Sequence, residues 1–197
     1  MNEEVRGQLR ELSYQMMTNE VYKQQIENSY AFNSKQGFKY TNYSTQEQTN
    51  AALLEADKKG FALSLTYNEL LFENGQRHNK FGDGPDAVNI WAENYLNKFK
   101  LRYPISWYTK SEDRDGLHFG YYSYEAIEAV HNKFLKEVEE KDLTEFEKQR
   151  VLGIATYYKE HRKLITKYFG DDVKEVISEI AEREAVAENN FIDNFIR

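Results

Sequence analysis

The chain carries four histidines, His78, His118, His131 and His161, and no cysteine. A cysteine nucleophile and a thiolate metal site are therefore excluded, and chemistry would fall to imidazoles, carboxylates and hydroxyls. His78 sits in a glycine-rich stretch with Asp83 and Asp86, and His118 sits on a strand–turn–strand pattern. Two imidazoles and two carboxylates could hold a divalent cation or move a proton. One expectation is thus a metal-assisted hydrolase or nuclease using His78, Asp83, Asp86 and His118. No spacing forces these residues together, and Asp83 and Asp86 also suit the start of a helix after Pro85. His131 and His161 lie beside apolar helical stripes and read as packing or surface residues.

The motifs that would fix a reaction are missing. The chain has no His-Glu-x-x-His, no phosphate loop, no Gly-x-Gly-x-x-Gly and no Gly-x-Ser-x-Gly. Asp113, Asp115 and Gly116 match the middle of a calcium loop, but Ser111 and Tyr122 stand where its end ligands belong. That stretch reads as a polar turn. No catalytic residue, metal or cofactor is assigned, and the reading leans away from an enzyme.

Two other residue sets point to binding. Lys148, Arg150, Lys159, Arg162, Lys163 and Lys167 crowd one helix beside a single acid, Glu160. They would either answer acidic neighbouring helices or form a basic strip for phosphates, the second giving a nucleic-acid-binding regulator. Tyrosine and phenylalanine are abundant, 15 and 12 residues. Tyrosine is favoured at interface hot spots, and Tyr40, Tyr43, Tyr108 and Tyr122 are the binding candidates.

These residues must be positioned by a mixed scaffold. Tyr103–Tyr124 reads as a hairpin: Tyr103, Ile105, Trp107 and Thr109 alternate, a polar turn ends at Gly116, and Leu117, Phe119 and Tyr121 alternate again. Phe61 to Tyr67 alternates in the same way after Gly60, which reads as the C-cap of a helix opened by Ser44-Thr45-Gln46-Glu47. Helices are expected over residues 2–29, as one helix or as two with Thr18 capping the second, and from Pro85 to about Lys100 along Val88, Trp91, Tyr95 and Phe99. Residues 30–43 read as a loop or short strand held by its rings. After the hairpin, Ile127, Val130, Phe134 and Val138 make one helical stripe. Thr144-Glu145-Phe146-Glu147 opens a second helix along Val151, Ile154, Tyr158 and Ile165, and a third follows Gly170. The expected fold is α+β. A small antiparallel sheet (strand about 61–67 plus hairpin about 103–122) packs with helices over residues 1–122, and a three-helix bundle spans 123–197. The two parts could equally form one domain.

Composition bounds the setting. With 30% charged and 40% hydrophobic residues the chain is globular, and its net charge of −7 disfavours non-specific nucleic-acid binding. The acidic start lacks the basic and apolar regions of a signal peptide, and no apolar run approaches membrane-spanning length. No membrane association is expected, and the absence of cysteine suits a reducing cytoplasm. Abundant Asn, Lys, Tyr, Phe and Ile suggest a low-GC bacterium or one of its phages or mobile elements. The leading expectation is a small acidic cytoplasmic protein that occludes a macromolecular partner, an inhibitor or immunity-like protein. That partner would be a protein, basic or nucleic-acid-binding, with nucleic acid itself left open. The apolar end, Phe191 to Ile196, offers a route to a homodimer.

Overall fold

The computed structural model describes residues 1–36, 45–76, 86–103 and 124–168. Among them every regular element is a helix. α1 spans Glu3–Gln36, α2 Gln46–Glu73, α3 Asp86–Asn97 and α4 Tyr124–Glu139, and α5 covers residues 145–168. The expected α+β class is therefore overturned.

The decisive correction is at residues 61–67, which lie inside α2. Read with period two, Phe61, Leu63, Leu65 and Tyr67 share a face. The side chains that are buried are Phe61, Ser64, Tyr67, Asn68, Leu71 and Phe72, spaced by three and four as one helical stripe requires. Two of these are polar, which hid the stripe. Their burial is made possible by local bonds. Ser64 Oγ lies 2.9 Å from Tyr157 Oη, and Asn68 Nδ2 donates to the Ser64 carbonyl at 2.8 Å. Gly60 is not a cap but an interior helical residue. A Cβ there would come within 3.1 Å of Asn19 Nδ2, so glycine is what lets α1 and α2 cross closely. The hairpin beyond Tyr103 and the third helix after Gly170 lie outside the described residues. Tyr103 itself is buried in non-helical backbone.

Helix ends follow local chemistry. α1 starts under Asn2, whose Oδ1 accepts from Val5 N at 2.9 Å, with Glu3 and Glu4 in the first turn, where acids favour the helix dipole. It does not restart at Thr18, whose hydroxyl donates back to the Tyr14 carbonyl at 2.9 Å. It also takes in residues 30–36, expected as loop or strand. Thr45 rather than Ser44 caps α2, accepting from Gln48 N. α2 ends on Gly75 at φ 69°, with Gln76 N donating to Leu71 O and Gly75 N to Phe72 O, the Schellman pattern. α5 opens on the expected capping box. Thr144 N and Oγ1 both donate to Glu147 Oε2, and Glu147 N returns a bond to Thr144 Oγ1.

Two apolar clusters hold the bundle. One joins Phe61 to α3, Leu101, Tyr103, α4 and the first turns of α5 through Val151, Ile154 and Tyr158. The other joins Leu9 and Met16 of α1 to Tyr67, Leu71 and Phe72 of α2 and to Ile165 of α5. α2 and α5 contribute to both, so these two helices tie the described bundle together. No described helix is long and apolar enough to cross a membrane.

Candidate functional site

The residues expected to do chemistry are largely beyond reach. His78, Asp83 and His118 lie outside the described residues, and Asp86 is described only as the backbone that opens α3. Tyr40, Tyr43, Tyr108 and Tyr122 also lie outside. Among the described residues no group of three or more His, Asp or Glu side chains is arranged to hold a metal ion.

The six cations of α5 are distributed rather than gathered. Arg150 and Arg162 are buried. Lys163 Nζ lies 2.8 Å from Glu128 Oε1, and Lys159 Nζ lies 3.7 Å from the same oxygen. Lys167 Nζ lies 2.9 Å from Glu69 Oε1. Lys148 is half-buried beside the capping box. The hydrogen bond from Lys163 holds Glu128 below the usual carboxylate range, despite the counter-pull of desolvation.

Arg150 anchors a charged centre that nothing in the sequence announces. Its Nε donates to Asp57 Oδ2 at 2.7 Å and its Nη2 to Asp57 Oδ1 at 3.2 Å. Lys23 Nζ reaches the same Oδ1 at 3.0 Å, and all three side chains are about 95% buried. Glu27, half in solvent, adds a longer contact to Arg150 at 3.4 Å. Glu20 Oε2 lies 3.6 Å from Lys23 Nζ, and aromatic faces add to the solvation. Lys23 Nζ stands 3.2 Å from the Trp91 ring centre, and the Arg150 guanidinium lies over Trp91, Tyr95 and Phe146. Burial pulls against the guanidinium's charge, but the Asp57 bonds outweigh it and leave Arg150 above the ordinary arginine value. Asp57 accepts three bonds, most of what a carboxylate can take, so this centre is structural ballast rather than a vacant site.

The two described histidines belong to the interior as well. His161 stacks on Tyr157 at 5.8 Å and leans on Phe72. Burial, helped by the adjacent Arg162 charge, lowers its pKa to about 3, so it is neutral. His131 Nδ1 is hydrogen-bonded to Tyr103 Oη at 3.1 Å, and burial lowers its pKa too. Burial raises the Tyr103 and Tyr158 phenols above the ordinary tyrosine range.

Surface features remain. On α1, Tyr14, Met17 and Val21 are 63%, 61% and 54% exposed. Their spacing of three and four puts them in one row, on the side of the helix away from Leu9, Met16 and Ile26, which are buried. Beside this row, α1 and α2 leave an open groove of about 680 Å³, floored by Leu12 and Leu70 and edged by Glu4, Glu11, Glu69 and Glu73. Sequence reasoning read one apolar row over Val5, Leu9, Leu12 and Met16, continued at Tyr22 and Ile26. The second was legible as a parallel row at positions 14, 17 and 21, but a helix with one core stripe calls for no other. The groove had no signal, because its two walls come from different helices. A comparison of the chain with protein-family models, curated proteins and solved structures finds no match.

Proposed function

We propose that this protein binds another protein through the outer face of α1 and acts by covering that partner's surface. The observation that carries this is the row Tyr14–Met17–Val21. Isolated exposed apolar residues are ordinary, but three large ones in register on one helix form a continuous patch. Anchors at i, i+3 and i+7 are how an amphipathic helix enters a partner's groove. α1 is already fixed on its other side by Leu9, Met16 and the Lys23–Asp57 pair, so the face is presented on a rigid support and little ordering opposes binding. The acidic balance favours a basic partner, one that itself handles nucleic acid. The wider reading is an inhibitor or immunity-like protein of a phage or mobile element, working in the cytoplasm of a low-GC bacterium. The absence of cysteine and the codon-biased composition support that setting.

The test places a photo-crosslinking amino acid at Met17 and exposes the protein to a low-GC host lysate at low salt. One stoichiometric protein is expected to be captured. Binding of that protein should weaken at least about 30-fold in the triple variant Tyr14→Lys/Met17→Lys/Val21→Lys, since hot-spot anchors are worth about 2 kcal/mol or more. Ile90→Lys, at another exposed apolar residue, should leave binding unchanged. No stoichiometric capture, or equal binding by the triple variant at unchanged thermal stability, would end the proposal.

A further inference from the structure

We infer that the α1/α2 groove receives a basic amphipathic helix of a protein partner. The inference rests on the protein-binding reading and adds a second contact with its own chemistry. The floor is apolar, Leu12 and Leu70, and the edges are carboxylates. Among the described residues only Glu69 of the four edge acids has an ion pair, with Lys167 at 2.9 Å. Glu11 and Glu73 accept neutral donors, Gln15 Nε2 and Tyr168 Oη. A segment with leucine-like side chains flanked by lysine or arginine would match floor and edges together.

Gly7 gives an independent reason to place a helix there. It lines the groove in the second turn of α1, where glycine weakens a helix relative to alanine. Among the described residues nothing needs that glycine, since a Cβ at Gly7 would meet none of their atoms within 4 Å. At Gly60 the same substitution meets Asn19 Nδ2 at 3.1 Å. Gly60 therefore makes room for this chain's own helix, and Gly7 makes room for a backbone from outside it.

Charge selects the occupant. The chain has a net charge of −7, and in segment 169–197 acids outnumber bases. On balance of charge, a second copy or that segment matches acidic edges less well than a basic helix does. A basic helix brings the opposite charge, so its binding must weaken as salt rises.

The probe is a fluorescein-labelled helical peptide with leucines on one face and lysines on both flanks, with a counterpart carrying glutamate for lysine. Fluorescence anisotropy with the full chain is expected to show salt-sensitive binding of the lysine peptide only. Glu4→Lys/Glu11→Lys should weaken it more than about tenfold, while Glu139→Lys/Glu140→Lys, the same charge change at another exposed site, should weaken it less than about twofold. Gly7→Gln should weaken it about tenfold while leaving the protein at least as heat-stable, because the helix gains propensity and no internal contact is lost. Equal binding of both peptides, equal loss in both charge variants, or unchanged binding by Gly7→Gln would overturn the inference. A dimer of the chain alone that Gly7→Gln dissociates would also overturn it, giving the groove to a second copy. The two proposals fail separately. Capture through Met17 that persists without peptide binding sinks only the groove, and peptide binding without capture sinks only the outer face.

Discussion

The α1/α2 pair treats the same residue types in opposite ways along its length. Where Lys23 meets Asp57, the helices close on a glycine, Gly60, and the charges are stripped of water and answered by Arg150, Trp91 and Tyr95. Where Glu4 and Glu11 face Glu69 and Glu73, the helices part beside a glycine, Gly7, and the charges stay in solvent. Depth decides what a charge is for. A buried carboxylate with three bonds is committed to holding the fold. An exposed one contributes little to stability and stays available to a partner.

The largest expected difference follows from removing one acid at each place. Asp57→Ala leaves buried Lys23 and Arg150 with only the longer contacts to Glu20 (3.6 Å) and Glu27 (3.4 Å) and should lose about 3–5 kcal/mol. Glu11→Ala should stay within about 0.5 kcal/mol. Urea unfolding of both variants measures this directly, and a loss below about 1 kcal/mol for Asp57→Ala would erase the contrast. Replacing the whole set by Lys23→Met/Asp57→Leu/Arg150→Met should recover most of the loss, since apolar substitutes for a buried ion group are often neutral.

A second contrast is in pH. The closed half carries His161, held neutral by burial with a pKa of about 3, below the unfolded value of about 6.5. A depressed histidine favours the folded state fully above pH 6.5, where neither state is protonated. As pH falls below that, the unfolded chain takes up the proton and the native state does not, so stability drops until the folded pKa is passed. His131, also lowered by burial, acts in the same direction. Between about pH 6.5 and 4.5 His161 should contribute a slope approaching 1.4 kcal/mol per pH unit. Unfolding series at pH 7, 6 and 5 should therefore slope downward, and His161→Phe should flatten that slope. A flat profile in the parent protein would mean His161 is reached by water.

These contrasts also mark what sequence reasoning could reach. Helix rows made of apolar residues were readable: Ile127, Phe134 and Val138 in α4, and Val151, Ile154 and Ile165 in α5, are buried as their spacing predicts. So was the Thr144–Glu147 capping box, because its partners are three residues apart. The row through α2 was not, because Ser64 and Asn68 occupy core positions while Leu63 and Leu65 lie half outside. Alternation then mimicked a strand, and Gly60 mimicked a helix end. A glycine that serves a neighbouring helix looks the same in sequence as one that serves a turn. The buried centre was illegible for a related reason. Lys23, Asp57 and Arg150 are distant in the chain, their types are ordinarily exposed, and only the tertiary crossing makes them one group. Of the candidate surface, the residues of one row on α1 could have been read, but a groove between two helices could not.

The smallest expected effects compare the two glycines themselves. Alanine gains roughly 1 kcal/mol of helix propensity over glycine at an interior position, so the local term is favourable at both. At Gly7 no described residue opposes it, and Gly7→Ala should raise stability by about 0.5–1 kcal/mol. At Gly60 the added methyl presses on Asn19 Nδ2, which is buried and donates to the Ala56 carbonyl at 2.8 Å. Making room for it lengthens that bond, and the buried Asn19 amide left short of its acceptor costs about 1–3 kcal/mol, while the Ala56 carbonyl keeps its place in the α2 ladder. Gly60→Ala should therefore come out destabilising by about 1 kcal/mol, opposite in sign to Gly7→Ala. Thermal unfolding of the two variants side by side reads the signs. If both stabilise, the α1/α2 crossing has slack, and Gly60 loses its role as the contact that closes it. If both destabilise, Gly7 is serving the fold after all, and the groove loses the residue that most clearly sets it apart.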